Sequence, residues 1–409
     1  MMRMPDQIRQ LCRPQPVWVA VGAAVVLSGV GILAIETARP VYALVQTRWL
    51  VISLMVAAVC VLPHPRWIAA SVAPLVVVTI GLLVVVILPW MPRSIVPVRN
   101  GATCWVDLHL MMFQPSELAK IVFVLSLALY LRYRSSYRTL RGLLVPFVLM
   151  FVPVVLILKE PDLGTALIFL PAMFVMLVAA GARLTHLGAL MGLAAAAVAL
   201  NVAVIYVMPD SLQILKPHQR QRIVAMISRT QGDQRYADGI GYQQDKAMTL
   251  VGSGAWSGYG GLRSETIVRF NRLPESHNDM IFSVIVNRWG LLGGLGVVGL
   301  YLVLTVSLLM VAAGTRDPFA RLATVGFGGV VFGQAAINIG MTVGVLPVTG
   351  ITLPFVSYGG SSLAATYAMI GLVLNFASRR PVFVGRPSFE FDGGYSAVGP
   401  SRHMATRHS

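Results

Sequence analysis

Apolar residues in this chain run in long blocks, among them Val17–Ile35, Leu75–Trp90, Ile121–Leu131, Leu167–Ala180 and Leu187–Met208. With their flanks these blocks approach or exceed the ~20 apolar residues that carry a helix across a bilayer. A soluble core does not account for so many of them. Breaks at proline, glycine and charge clusters predict about ten helices, with limits near 17–36, 48–62, 67–90, 115–132, 144–158, 163–181, 185–208, 279–313, 318–342 and 353–377. The segment 144–158 is short and contains proline, which leaves a tilted or partly re-entrant course open beside a full span.

An even number of spans puts both termini on one side, and arginine and lysine in the short loops decide which. Arg3, Arg9, Arg13, Arg66, Arg132, Arg134, Arg138, Arg141, Arg183, Arg316, Arg321, Arg379 and Arg380 all fall on one face, which is therefore read as cytoplasmic. The opposite short loops hold Arg39, Arg48, Arg93, Arg99 and Lys159. The expected fold is an all-α, multi-pass integral membrane protein with both termini cytoplasmic. Residues 1–16 form a cytoplasmic segment, 17–380 a polytopic domain, and 381–409 a tail poor in apolar periodicity that is expected to be disordered. The first apolar run is long and lacks a small-x-small cleavage site, so it reads as a retained helix and not as a signal peptide.

Composition sharpens this picture. The hydrophobic share is 56%, above the roughly 45–50% of soluble domains. The formal charge of +16 is spread along the chain and not gathered on one periodic face, so nucleic acid is not an expected partner. Cys12, Cys60 and Cys104 lack metal-ligand spacing and read as small apolar fillers. No internal repeat points to the inverted halves of a secondary transporter. Residues 209–278 form one large extracytoplasmic loop, far longer than the usual ~4–6 residues. Its apolar-polar patterning predicts short amphipathic helices at the interface.

Ionisable groups at membrane depth are costly, so the outer helix ends are where chemistry is sought. In Gln114-Pro115-Ser116-Glu117-Leu118-Ala119-Lys120, proline near a helix start and an i,i+3 Glu–Lys pair favour a self-neutralising cap on residue types alone. In Lys159-Glu160-Pro161-Asp162-Leu163-Gly164-Thr165, Asp162 suits a helix cap, yet a cap explains only one of three charged groups. In Leu273-Pro274-Glu275-Ser276-His277-Asn278-Asp279, Asn278 or Asp279 suits an N-cap. Glu275, His277 and Asp279 alternate beside an arginine-rich loop, however, and a carboxylate between lipid and cations is suited to act as a base. The run Lys216, His218, Arg220, Arg222, followed by Gly252-Ser253-Gly254 and Gly258-Tyr259-Gly260-Gly261, suits a phosphate or pyrophosphate. It lacks the Gly-Lys-Ser/Thr of a nucleotide loop, and alone it reads as a solvated glycine-rich loop.

Taken together these segments resemble the shape, elongation, division and sporulation (SEDS) family of bacterial membrane glycosyltransferases, the RodA/FtsW type. The resemblance runs in order from about Asn100 to Arg380. It is carried by the three motifs above and by Gln219-Arg220-Gln221-Arg222-Ile223, Gly241-Tyr242-Gln243, Gly252-Ser253-Gly254 and Leu353-Pro354-Phe355-Val356-Ser357-Tyr358-Gly359-Gly360-Ser361-Ser362. It implies a ten-helix enzyme that polymerises lipid II into peptidoglycan strands, with Asp279 as the catalytic acid residue of the family, working here as general base. Glu117, Lys120 and Trp105 would line or shape the cavity. Arg220, Arg222 and Lys159, with a divalent cation such as Mg2+, would hold the leaving pyrophosphate, and Asp162, Glu275, His277 and Ser357 complete the expected substrate-binding set.

The implied partners are lipid II, the undecaprenyl-pyrophosphate-linked glycan, membrane lipids and a class B penicillin-binding protein with transpeptidase activity. Lys159-Glu160-Pro161-Asp162-Leu163 favours the elongation type over the division type. Three places depart from the family pattern. Cys104 stands before Trp105 where an arginine is usual, Asn287-Arg288-Trp289-Gly290 where two acids precede the glycine, and Lys246-Ala247 where a polar pair follows Gly-Tyr-Gln. Two other readings are carried forward: a lipid-precursor flippase using midplane polar groups such as Asn201, Gln334 and Asn338, and a non-catalytic scaffold.

Overall fold

The computed structural model describes residues 15–98, 103–107, 112–134, 136–160, 162–193 and 241–379, with the single positions 196 and 224. The calls on the N-terminal segment, on Arg220 and Arg222, and on the tail after Arg379 lie outside these residues. The membrane helices are α1 (Pro16–Ala38), α2 (Pro40–Val61), α3 (Pro65–Ile87), α4 (Pro115–Tyr133), α5 (Leu144–Lys159) and α6 (Leu163–Ala180), followed later in the chain by α10 (Ile281–Gly314), α11 (Pro318–Thr342) and α12 (Gly360–Ser378). Between them come the short helices α7 (Leu184–Leu193), which lies in the stretch expected as helix 185–208, α8 (Tyr242–Ser253) and α9 (Gly260–Asn271). Eight of these helices are long and apolar enough to cross a membrane. Helix α4 has the length, 19 residues, but carries Glu117, Lys120 and Arg132.

Local chemistry explains where the helices start. Helices α1, α2, α3, α4 and α11 each open on proline, whose fixed φ suits the first turn and whose missing N–H would have had no partner there. Helix α6 opens on Asp162, whose carboxylate accepts from the Thr165 amide at 2.9 Å, and ends on Gly181 at φ 87, a left-handed cap.

Helix α11 lies at the centre, packed on α6, α10 and α4, while α2 runs along α12 and α1 along α10. Burial agrees: 72% of the α11 and α12 spans is inside the protein, against 17% of α2. Close approach depends on glycine. A Cβ on Gly329 would come 3.2 Å from the Ala172 backbone, one on Gly333 would strike Pro171, and one on Gly371 would lie 2.3 Å from the Ala57 carbonyl. Small residues at such crossings are how helices gain van der Waals contact in lipid, where no hydrophobic force draws them together.

Several expectations are revised. Helix α2 begins at Pro40 and not near 48, because Gln46, which reads as loop, is 2% exposed and faces inward. Segment 144–158 is a regular helix, entered through a short 3-10 turn, that together with that turn spans 19 residues. Helix α12 begins at Gly360, and 353–359 is non-helical. The stretch 242–271 is helical as the patterning predicts, but α8 and α9 are docked onto the bundle: α8 against α10 and α11, α9 against α1 and α10.

The docking site is a break in α10 at Gly290, at φ 72 and ψ −172. The backbone groups freed there are taken up by the α8–α9 connection: the amides of Leu291 and Leu292 donate to the Ala255 and Trp256 carbonyls at 2.8 and 3.2 Å, and the Tyr259 amide donates to the Asn287 carbonyl at 3.0 Å. Gly258, at φ 74, meets Gly290 backbone to backbone. A Cβ on Gly290 would lie 2.3 Å from the Trp256 carbonyl oxygen, so Gly290→Ala is expected to cost at least about 1–3 kcal/mol from the left-handed backbone alone. Gly299→Ala, where nothing lies within 4 Å, is expected to be neutral or slightly stabilising. Thermal unfolding of the two variants in detergent checks the contrast, and equal melting temperatures would contradict it.

Candidate functional site

The polar groups singled out from sequence meet at one end of the bundle, around the non-helical strap 349–359. Asp279 stands two residues before α10. It does not cap that helix, whose N-cap position is Met280 without a side-chain bond. Instead, three consecutive carbonyls fix it. His277 O accepts from the Tyr358 amide at 3.0 Å, Asn278 O from Ser357 Oγ at 2.7 Å, and Asp279 O from Asn338 Nδ2 at 2.8 Å. The same Asn338 amide donates to Ile351 O at 2.6 Å, and Ser357 Oγ accepts from the Leu353 amide at 2.7 Å. The Asp279 carboxylate is partly exposed and lies beside Gly350, where a Cβ would come 3.5 Å from Oδ2.

The strap is held from the other side by α2. Gln46 donates to Ser357 O at 3.0 Å and accepts from the Gly359 amide at 3.2 Å. Tyr42 on the same helix stacks on His277 and Tyr358, with centroids 4.8 and 4.7 Å away. Burial is the main cause that holds the His277 imidazole below its ordinary pKa; Arg39 adds to the effect and Glu275 opposes it. His277 thus packs in an aromatic cluster whose burial favours its neutral form. Glu275, at φ 49, closes the turn that delivers Asp279, its carbonyl accepting from the Asn278 amide at 3.0 Å.

A second set joins from α4 and α6. Lys120, 1% exposed, donates to Glu117 Oε1 at 2.9 Å and to Gln334 Oε1 at 3.0 Å. Gln334 in turn donates to Thr352 O at 2.9 Å, and the Thr352 and Ser362 hydroxyls lie 3.2 Å apart. The Glu–Lys pair neutralises itself as the spacing predicts, yet it caps nothing and is instead a buried tie to the strap. A buried pair of this kind is costly to break, since one partner alone leaves an uncompensated charge. Asp162 fulfils its expected cap and also accepts from Gln114 Nε2 at 3.2 Å. Its pKa is raised by burial, against the opposing pull of the Thr165 hydrogen bonds and Lys120.

The other expected residues lie outside this network. Trp105 is partly exposed beside the hairpin of β1 (Val106–Asp107) and β2 (Met112–Phe113). Lys159 is exposed and, among the described residues, has no polar partner. Sequence reasoning missed Gln46, Tyr42, Thr352 and Tyr358. It listed Gln334 and Asn338 as transporter groups, yet their amides are committed to the strap and to Asp279. An i,i+4 polar pair on an otherwise apolar helix was the signal. No three histidine, cysteine, aspartate or glutamate side chains cluster as metal ligands among the described residues.

Two departures from the family pattern have structural roles. Asn287, fully buried, accepts from Ser264 Oγ at 2.6 Å and donates to Ser253 Oγ at 2.8 Å, tying α9 and the end of α8 to α10. Arg288 donates to Leu33 O at 2.5 Å and Thr37 Oγ1 at 2.6 Å on α1. Cys104 donates to Glu160 O at 3.0 Å and holds the hairpin against the α5–α6 turn.

Glu160 itself is 1% exposed, and neither carboxylate oxygen has a hydrogen-bond partner. Burial, reinforced by Asp162, pushes its pKa up to about 9. The folded chain keeps this proton across a window in which the unfolded chain has released it, so its contribution is present at acid pH and lost as pH rises from about 4.5 towards 9. Glu160→Gln is expected to flatten the fall in stability over that window, by up to about 1.4 kcal/mol per pH unit. Melting temperatures of both proteins from pH 5 to 9 measure this, and parallel curves would refute the assignment.

Comparison with known proteins agrees with the geometry. Residues 12–381 match the family model described as cell cycle protein, FtsW/RodA/SpoVE. The probable peptidoglycan glycosyltransferase FtsW of Pseudomonas fluorescens is 32% identical over 326 residues, 78% of this chain and 75% of the relative. The peptidoglycan glycosyltransferase MrdB of Escherichia coli is 33% identical over 284 residues, 69% of this chain and 73% of the relative. Among solved structures, a chain of a peptidoglycan synthase complex superposes with a TM-score of 0.73 at 31% identity, covering 90% of this chain and 98% of that one. The rod shape determining protein RodA of Thermus thermophilus gives 0.63 at 28%, covering 89% and 97%. The chain thus shares its overall architecture with these structures, and it belongs to the FtsW/RodA/SpoVE family.

Proposed function

We propose that this chain is a peptidoglycan glycosyltransferase that polymerises lipid II, with Asp279 as general base. Family membership supports the activity, since the relatives above are named for it. The observation that carries the residue assignment is the lacing of three successive carbonyls, which fixes the backbone of a partly exposed carboxylate at the mouth of a buried polar network. A general base has to be held where a substrate proton can reach it, and these main-chain bonds fix the backbone of Asp279 at a partly exposed position.

In the reaction, a sugar hydroxyl of one molecule attacks the anomeric carbon of another. The new carbon–oxygen bond forms as the bond to the lipid pyrophosphate breaks, Asp279 takes the hydroxyl proton, and the pyrophosphate leaves with the electron pair. Cations that offset this developing charge speed such a step. Lys159 at the rim, with Arg220 and Arg222 from the loop, is assigned this task. A divalent cation such as Mg2+ would supply the same stabilisation; the described residues offer no three-ligand cluster for it, and no step is routed through it.

The arginine-rich end of the bundle faces the cytoplasm under the positive-inside rule, with both termini there and Asp279 at the outer surface. A class B penicillin-binding protein is the partner, in line with the synthase complex from which the structural neighbour comes, and the elongation role is favoured. The commitment of Gln334 and Asn338 to fixed bonds speaks against a flippase built on them.

Polymerisation of purified lipid II with the cognate penicillin-binding protein tests this reading. Asp279→Ala is expected to fold, to melt close to wild type and to lose polymerisation by about 10²-fold or more, the scale of general base catalysis. Strands from Asp279→Ala at the wild-type rate would sink the base assignment. No strands from either protein, with both complexes folded, would favour the scaffold.

A further inference from the structure

At the arginine-rich end, the start of α1 and the ends of α10 and α12 enclose a cavity of about 210 Å³. Arg316 and Arg379 reach it from two loops, and Met310, Val311 and Phe376 form its apolar wall. Lining residues include no carboxylate. Asp317, next to Arg316, is turned away to Arg132 at 3.5 Å. Arg379 spends one amino group on Leu62 O, at 2.5 Å, and its Nε is buried with no hydrogen-bond partner. Arg316 is exposed.

Two helix C-termini bring partial negative charge of about half a unit each to this place. Two full positive charges outweigh them, and the N-terminus of α1 adds to the same side. A guanidinium with a buried, unused donor calls for an acceptor, and phosphate oxygens match that geometry. The apolar wall selects among phosphates. Met310 is 56% exposed and continues a stripe with Val303 and Val306, 45% and 53% exposed, on the outward face of α10. An anion held by the arginines therefore has an exposed apolar stripe leading away from it along α10.

We propose that this cavity binds the phosphate of an anionic phospholipid, with an acyl chain lying along the Val303–Val306–Met310 stripe. Basic pockets between helix ends are a recognised means of holding anionic headgroups. The site stands on its own geometry; its assignment to the inner leaflet rests on the orientation proposed above.

Native mass spectrometry of the full-length, detergent-purified chain, titrated with phosphatidylglycerol or phosphatidylcholine, tests the proposal. Wild type is expected to retain phosphatidylglycerol selectively. Arg316→Gln is expected to weaken that retention about fivefold, one arginine near a headgroup contributing about 1 kcal/mol. Arg263→Gln, on the outward side of α9 at the other end, is expected to change nothing. Glycerol phosphate in excess is expected to compete poorly, because it lacks the acyl chain.

Full competition by glycerol phosphate would make this a soluble-phosphate site and overturn the lipid assignment. Equal retention of the two lipids, or unchanged binding by Arg316→Gln, would overturn it as well. Selective retention that emerges only after removal of residues 381–409, which carry Glu390 and Asp392, would assign the cavity to the chain's own tail instead. The readout needs no turnover, so its failure leaves the polymerase reading untouched, and loss of polymerisation by Asp279→Ala leaves this one untouched.

Discussion

Backbone without helical hydrogen bonds is expensive inside a membrane protein, and this chain buries such a stretch at one end of its bundle. The strap 349–359 has little regular structure of its own, yet Leu353 and Val356 are 1% and 0% exposed. It survives because side chains replace the missing helix: Gln46 from α2, Gln334 and Asn338 from α11, and Ser357 from the strap itself. Irregular backbone at this depth is tolerated only where protein satisfies it. The cost of burying those polar groups is thereby turned into the means of fixing Asp279, because the side chains and amides that satisfy the strap also hold the carbonyls of His277, Asn278 and Asp279.

This arrangement explains why the site is spread over so many elements. Lys120 and Glu117 on α4 reach the strap through Gln334, and Asp162 at the start of α6 is joined to α4 through Gln114. Helices α2, α4, α6 and α11 each bring one or two polar groups to the network: Gln46, Glu117 with Lys120, the Asp162 cap, and Gln334 with Asn338. The bundle also needs tight, unpolar crossings along its length, and Gly329, Gly333 and Gly371 provide them.

The apolar blocks and the proline starts made the helices legible, since length and composition alone decide membrane spans. Asp162 was legible as a cap because the geometry of a cap is local. What failed were the places where tertiary partners replace local ones. Gln46 read as loop because a polar residue at a helix end usually faces water, and here it faces the strap. The residues 353–359 read as helix because their apolar character is that of a span, whereas Phe355 at φ 66 and bonds from distant side chains hold them in a turn. Gly290 gave no sign of a break, as a glycine in an apolar run is ordinary; its φ is set by the α8–α9 connection, some thirty residues away in sequence. Glu117 and Lys120 read as a self-neutralising cap, and their burial was not legible because spacing carries no information on it.

The break in α10 divides one long helix into two bodies with different attachments. The upper piece, from Ile281 to Trp289, is buried over Ile281–Asn287 and bonded to α8, α9 and α1 through Asn287, Arg288 and the 255–259 turn, whereas the lower piece alternates buried and exposed positions. Asp279 is carried at the tip of the upper piece. The α8–α9 connection and the backbone leading to Asp279 are therefore joined to the same short helical piece, Ile281–Trp289, so that whatever displaces that connection bears on the position of Asp279.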